Sequence, residues 1–220
     1  MLSLPSVTLI CVDTVDPAKG ASALEYSCRD IQFGAVKLLS HAIVHGAAGY
    51  IDQMNYIEQF DTVDDWCKFI VYDLWQYVDT EYCLLIHADG FVVNPDMWNP
   101  DWLQYDYVGS PWPLPQDTFS FRDINGVIQR VGNSVSLRSR KLLKLATDLN
   151  IPWQSFHGYW NEDGFICVNN RHIYEEHGCK FAPFEVALQF GRECPLPENI
   201  NLNPFCFHRY EGPNNKYPRF

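Results

Sequence analysis

Tyr82-Cys83-Leu84-Leu85-Ile86-His87-Ala88-Asp89-Gly90-Phe91 is an apolar run closed by a single carboxylate and a glycine. The segment from Tyr82 to Ile86 is short, apolar and without helical period, and so predicts a buried strand. His87, Asp89 and Gly90 then fall at its carboxyl end, where open α/β sheets bind ligands. A carboxylate there can hold a divalent cation, and Gly90 lets a backbone or a phosphate come close. The same residues also make an ordinary Asp-Gly turn after a strand. The stretch alone leaves both readings open.

Upstream, Val7 to Val12 is a second continuous apolar run and predicts a central strand. It ends in Asp13-Thr14 and a polar loop to Gly20 that contains neither G-x-G-x-x-G nor a P-loop. Ser22 to His45 reads as mainly helical, with Leu24, Cys28, Ile31, Ala35, Leu38, Leu39 and Ala42 three or four apart. Tyr50 to Met54 suits a short strand. Asp61-Thr62 can cap a second helix, with Asp64 and Asp65 in its first turn and Trp66, Phe69, Ile70, Leu74, Tyr77 and Val78 on its apolar face. Helix followed at once by strand is the α/β pattern.

Downstream, Tyr105 to Gly109 predicts a short strand, and Trp112 lies between Pro111 and Pro113 in an extended segment. Phe119 to Val131 reads as a hairpin turning at Asn125-Gly126. From Val131 a strand runs into a helix that ends near Leu149. Another helix is expected from Asn161 to His177, with Gly178 as its C-terminal cap. Phe181 to Phe190 reads as extended, and Phe205-Cys206-Phe207-His208 is an apolar knot in a Pro- and Asn-rich tail.

Composition narrows the function. The chain has 220 residues, 47% hydrophobic, with a formal charge of -11. That suits one globular α/β domain and argues against nucleic acid as partner, which calls for a basic footprint. A small phosphorylated ligand needs only local cations or a bound metal. The 8 cysteines include no C-x-x-C pair, and several sit in apolar runs. They are expected to be reduced thiols of a cytoplasmic protein, one able to work beside a membrane, without a structural zinc site. Neither a signal peptide nor a transmembrane segment is expected.

Five blocks in order resemble the GT-A glycosyltransferases, in particular small members associated with polysaccharide and capsule biosynthesis. They are VTLICVDT (Val7 to Thr14), LLIHADGFVVNP (Leu84 to Pro95), YDYVGSPWP (Tyr105 to Pro113), VGNSVSLRSRKLL (Val131 to Leu143) and NEDGFIC (Asn161 to Cys167); FAPFEVALQFGRE and PFCFH extend the match. The resemblance implies a single GT-A domain over residues 1–220, a Rossmann-like mixed sheet flanked by helices. Residues 1–110 would form its nucleotide-sugar-binding half and 111–220 its acceptor-binding half. It implies sugar transfer from a nucleotide donor, with UDP the expected nucleotide, to a glycan or lipid-linked acceptor. A divalent cation, Mn²⁺ or Mg²⁺, would assist.

GT-A enzymes carry Asp-x-Asp after a central strand, whereas this chain reads His87-Ala88-Asp89. Asp89 matches the metal-binding Asp, and a neutral imidazole at the first position suits Mn²⁺ better than Mg²⁺. His208 matches a C-terminal histidine that completes the metal site in some members. Donor contacts are expected from Val12, Asp13, Thr14, His87, Asp89 and Gly90, and from Arg138 or Arg140 on the diphosphate. Asp163, or else Glu162, resembles the base that deprotonates the acceptor in inverting members. Both acids also suit the first turn of a helix without any catalytic part. Trp112, Gly132, Asn133 and Trp160 are the expected acceptor contacts, the tryptophans by stacking on sugar rings. A competing reading is a non-catalytic carbohydrate-binding or scaffold protein on a degenerate GT-A fold, which the altered Asp-x-Asp would suit.

Overall fold

The computed structural model describes residues 1–154 and 161–220. Its first strand, β1 (Leu2–Val12), is central, and Leu9, Ile10 and Cys11 are fully buried. Helix α1 (Pro17–Ser27) starts where the Asp16 side chain accepts the Lys19 N–H, with proline at the first helical position.

The expected helix from Ser22 to His45 is corrected here. It stops at Ser27, and Ile31–Leu39 forms strand β2, parallel to β1. Ile31, Ala35, Leu38 and Leu39 fit a helical spacing, but Ile31 and Phe33 are buried while Gln32 and Gly34 are exposed, a period of two. Pairing with β1 decides the matter. A Cβ on Gly34 would lie 2.2 Å from the Pro5 carbonyl oxygen, so the close approach of these strands needs glycine there.

Strand β3 (Asp52–Met54) extends the sheet beyond β2. Helix α2 (Val63–Tyr72) begins in a capping box: Thr62 Oγ1 accepts the Asp65 N–H, and the Asp65 carboxylate accepts the Thr62 N–H. The strand read from sequence is β4 (Tyr82–Ile86), parallel to β1 in the register Cys11 to Ile86. Strand β5 (Tyr107–Pro111) and strand β6 (Val131–Ser139) are antiparallel to each other, and β6 is antiparallel to β4. The six-stranded order is β3-β2-β1-β4-β6-β5. Because β6 sits between β4 and β5, the sheet runs unbroken across the division expected at residues 110/111. The chain leaves β1 toward β2 and returns on its other side as β4. This reversal opens a crevice at the carboxyl ends of β1 and β4.

Gly126 turns the expected hairpin at φ +76°, but only one bridge, Arg122 to Ile128, forms, and the Asp123 carboxylate holds the turn through the Asn125 and Val127 N–H groups. Helix α3 (Arg140–Asp148) follows β6 directly. The helix expected over 161–177 is instead α4 (Glu162–Gly164), a π-turn over Phe165–Asn169, and α5 (Arg171–Glu176), with Gly178 beyond it at φ +75°. The extended segment expected at Phe181 to Phe190 is also corrected: Phe184–Phe190 is helix α6. Proline precedes it, Glu185 lies in its first turn, and Ala187 and Phe190 bury one face at i, i+3.

Two short strands, β7 (Gly191–Arg192) and β8 (Cys206–Phe207), pair in parallel and bring the tail back to the sheet. Phe91, Trp102, Phe190, Phe205 and Phe207 form a fully buried aromatic cluster beneath it. All eight cysteines are free thiols. Among the described residues no helix is long and apolar enough to cross a membrane.

Candidate active site

A tight turn follows β4. The His87 N–H donates to the Gly90 carbonyl at 2.7 Å, and the Gly90 N–H donates to the His87 carbonyl at 3.2 Å. His87 and Asp89 therefore project from one short turn. The tail passes beside it, with the Phe207 N–H on the Phe91 carbonyl and the Arg209 N–H on the Asp89 carbonyl. Gly90 is what permits this: a Cβ there would lie 2.7 Å from Val135, 2.8 Å from the His208 ring and 2.9 Å from the Phe207 carbonyl oxygen. Its small size serves the approach of His208.

His87, Asp89 and His208 thus converge, with one ligand atom from each lying within 4.8 Å of the others. His208 Nε2 stands 3.6 Å from Asp89 Oδ1, and its ring stacks on that of His87 at 5.0 Å. The other ring nitrogen, Nδ1, lies 2.9 Å from Asn133 Oδ1 and 3.5 Å from Glu193 Oε1. Burial opposes charge on His208, but Asp89 and Glu193 outweigh it and hold the imidazole pKa up to about 9. The facing His208 draws Asp89 down to about 2. Burial, aided by the charge of His208, pushes His87 down to about 3, so that ring stays neutral. Among the described residues neither His87 ring nitrogen has a hydrogen-bond partner, and Nε2 is buried. Two imidazoles and a carboxylate are donor types that fit a divalent cation, which would have to displace the proton that Asp89 and Glu193 hold on His208.

Beside this cluster lies a cavity of about 450 Å³ lined by Val12, Asp13 and Thr14 from the end of β1, by Phe60 to Val63 and Trp66 from α2 and its approach, and by His87, Asp89, Ser134 and Glu162. The expected donor residues at both strand ends therefore share one wall. Asp13 Oδ1 accepts the Val15 and Asp16 N–H groups and so shapes the loop. Trp66, read from sequence only as core, donates its indole N–H to the Val12 carbonyl and packs on His87. The described residues lining the cavity include four carboxylates, Asp13, Asp61, Asp89 and Glu162, and no lysine or arginine.

The two arginines expected on a diphosphate lie elsewhere. Arg138 is fully buried: its guanidinium donates to Glu162 Oε1 at 2.8 Å, to Ser136 Oγ at 2.8 Å and to the Ser134 carbonyl. Arg140 sits by Glu81, at the opposite end of β4 from His87. Strand pairing accounts for both placements, since Arg138 lies opposite Cys83 in mid-sheet.

Asp163 is half-buried at the start of α4 and accepts the Asn133 N–H at 3.0 Å and the Gly164 N–H at 2.8 Å. Burial, with Glu162 and Glu193 nearby, pushes its carboxyl up to about 7. Glu162 is fully buried against Arg138. Asn133, at φ +89°, touches both sides of the site, His208 through its side chain and Asp163 through its backbone. Of the other expected acceptor contacts, Trp112 is 5% exposed and stacks on Phe121. A Cβ on Gly132 would fall 1.8 Å from the Trp112 ring, so this glycine makes room for the indole. Trp160 lies outside the described residues. Glu193, unrecognised in the sequence, gave no signal there because its partner His208 is remote in the chain.

Solved structures similar to this one include glycosyltransferases. One is the galactosyltransferase LgtC with donor and acceptor sugar analogues, at 13% identity and a TM-score of 0.51, covering 92% of this chain and 86% of that one. Another is a glycosyltransferase involved in glycosylation of the major capsid of PBCV-1, at 12% identity and a TM-score of 0.52, covering 93% of each chain. The architecture is therefore that of the GT-A glycosyltransferases. The chain belongs to the family described as protein of unknown function DUF5672, whose model matches residues 53–208. No curated protein sequence matches it.

Proposed function

We propose that this protein is a glycosyltransferase that moves a sugar from a nucleotide donor, UDP-linked, to a hydroxyl of a glycan or lipid-linked acceptor, with cation assistance and inversion. The observation that carries this reading is the convergence of His87, Asp89 and His208 beside the cavity at the ends of β1 and β4. In this reading Val12, Asp13 and Thr14 hold the nucleoside. His87, Asp89 and His208 hold Mn²⁺ or Mg²⁺, which when bound supplies the positive charge a departing diphosphate requires. The absence of lysine and arginine from the described lining supports that need.

Asp163 takes the proton of the acceptor hydroxyl as its oxygen attacks the anomeric carbon and the bond to the diphosphate breaks. A carboxyl held near 7 is a competent base at neutral pH. Arg138 and Glu162 keep α4 against β6 and so position Asp163. Trp160 remains an acceptor contact in this proposal.

The test is the thermal midpoint with UDP, GDP, dTDP or CMP, each with Mn²⁺ or EDTA, followed by transfer assays with the corresponding nucleotide sugars. A nucleotide at about 100 times its Kd should add roughly 2.7 kcal/mol of stability. The reading expects a shift with one nucleotide that requires the cation, and turnover lost in Asp89→Ala. Sugar binding without turnover of any nucleotide sugar would instead identify a non-catalytic binding module.

A further inference from the structure

We infer that the cavity lined by the segment between β5 and β6 and by the end of the π-turn is a second carbohydrate site. It holds a sugar unit of the acceptor other than the one that reacts, so that the acceptor is an oligosaccharide. The inference rests on the glycosyltransferase reading for the role of that sugar, though not for its binding.

This cavity has a volume of about 430 Å³ and shares no described lining residue with the one at the ends of β1 and β4. Thr118, Phe119, Arg122 and Ile124 line it from the segment between β5 and β6, and Gln154 and Asn169 from later in the chain. The turn at Asn125-Gly126 fixes the shape of the first segment. The Arg122 guanidinium donates to the Gly126 carbonyl at 3.0 Å, and the Asp123 carboxylate is occupied by the Asn125 and Val127 N–H groups and by Gln129 Nε2. Asn169 is placed by the π-turn, which the Asn170 backbone and side-chain N–H groups close by donating to the Phe165 carbonyl. Such turns recur at functional sites.

Asn169 is the informative residue. Both polar atoms of its amide are buried without a hydrogen-bond partner among the described residues, and so is Arg122 Nε. Buried amide and guanidinium groups ordinarily find partners, so three such atoms on the lining of one cavity point to a polar guest. The rotamer change that brings the amide to a guest is of a kind common on binding. Arg122 and Asp123 are the only charged residues among the described lining, and their charges cancel. That selects a neutral guest over a phosphate or a carboxylate. Amides and a threonine hydroxyl both donate and accept, as sugar hydroxyls do. Phe119 and Ile124, 47% and 64% exposed, offer apolar surface to a sugar ring face. The position suits a distal unit: Asn169 follows Asp163 by six residues along α4 and the π-turn, a rise of roughly 9 Å and more than one sugar ring.

The experiment measures binding of the whole chain to glucose, galactose, mannose and N-acetylglucosamine and to their di-, tri- and tetrasaccharides, by saturation-transfer NMR and calorimetry. The proteins are wild type, Asn169→Leu and Ile124→Asp, with circular dichroism and thermal midpoints to establish folding. Asn169→Leu should melt no lower than wild type, since it removes a buried amide without a partner among the described residues. In at least one series wild type should bind a longer member about tenfold or more tighter than its monosaccharide, and both variants should lose that increment. Ile124 is exposed, so Ile124→Asp answers the question should Asn169→Leu not fold. Equal affinity along every series, or an increment that survives in folded Asn169→Leu or in Ile124→Asp, overturns the inference. Sugar transfer is measured on the same samples. KM for the longer acceptor should rise about tenfold in Asn169→Leu, with the smaller effect on kcat. Transfer with no preference for acceptor length sinks the inference but keeps the transferase, whereas length-dependent binding through Asn169 without any transfer keeps the sugar site and sinks the transferase.

Discussion

Asp163 carries an elevated pKa because it is buried beside Glu162 and Glu193, while its two backbone N–H donors only partly offset that cost. If it is the base, the ionised form is the active one. The kcat/KM profile should then climb with pH through about 7 and level off above it. Asp163→Asn should remove that limb and cost about 10² to 10⁴ in kcat. Stability should move the other way. A carboxyl raised in the fold favours the native state most below its unfolded pKa of about 3.9, and that contribution is lost as pH rises through about 7. Melting curves should therefore show wild type losing ground to Asp163→Asn between roughly pH 4 and pH 7, and no further above that. A parallel pair of curves would remove the pKa argument. At this scale the sequence showed a carboxylate at a helix start, but not the neighbours that set its proton affinity, since Glu193 arrives from a distant segment.

Between elements, the Arg138–Glu162 pair joins β6 to α4 with both side chains wholly out of water. Removing one partner strands a buried charge. Arg138→Met should cost about 3–5 kcal/mol by denaturant unfolding, and the double variant Arg138→Met, Glu162→Leu should recover at least half of it. Failure of the double variant to recover would mean that the Ser134 and Ser136 contacts, and not the ion pair, hold this junction. Sequence periodicity served the elements unevenly. Strands β1 and β4 were legible because uniform apolar runs survive in any α/β packing. Strand β2 was misread because its apolar spacing satisfies a helix and a strand alike, and only pairing with β1 distinguishes them. Helix α6 was missed for a related reason: a short apolar segment carries little period of its own.

For the molecule as a whole, the site closes only when the tail returns. Arg192, fully buried on β7, donates to Asn214 Oδ1 and to the Asn199 and Leu202 carbonyls, and its own carbonyl accepts the His208 N–H. Arg192→Leu should leave β1 and β4 protected while speeding amide exchange over 193–216. It should also weaken Mn²⁺ binding, although Arg192 is not in the His87, Asp89 and His208 set. Unchanged exchange in that segment would show that the aromatic cluster under the tail holds it without the guanidinium.

By itself, the sequence determined the α/β class, the two parallel strands, and the placing of Asp89 and Asp13 at their carboxyl ends, because strand period and strand termini are local properties of the chain. Tertiary structure alone decided that His87 and His208 lie on one metal-sized cluster, that Asn133 links it to Asp163, and that Gly132 receives the Trp112 ring. Those contacts join residues remote in sequence. Their geometry comes from the order of strands in the sheet and from the tail crossing Gly90, neither of which leaves a periodic trace in the chain.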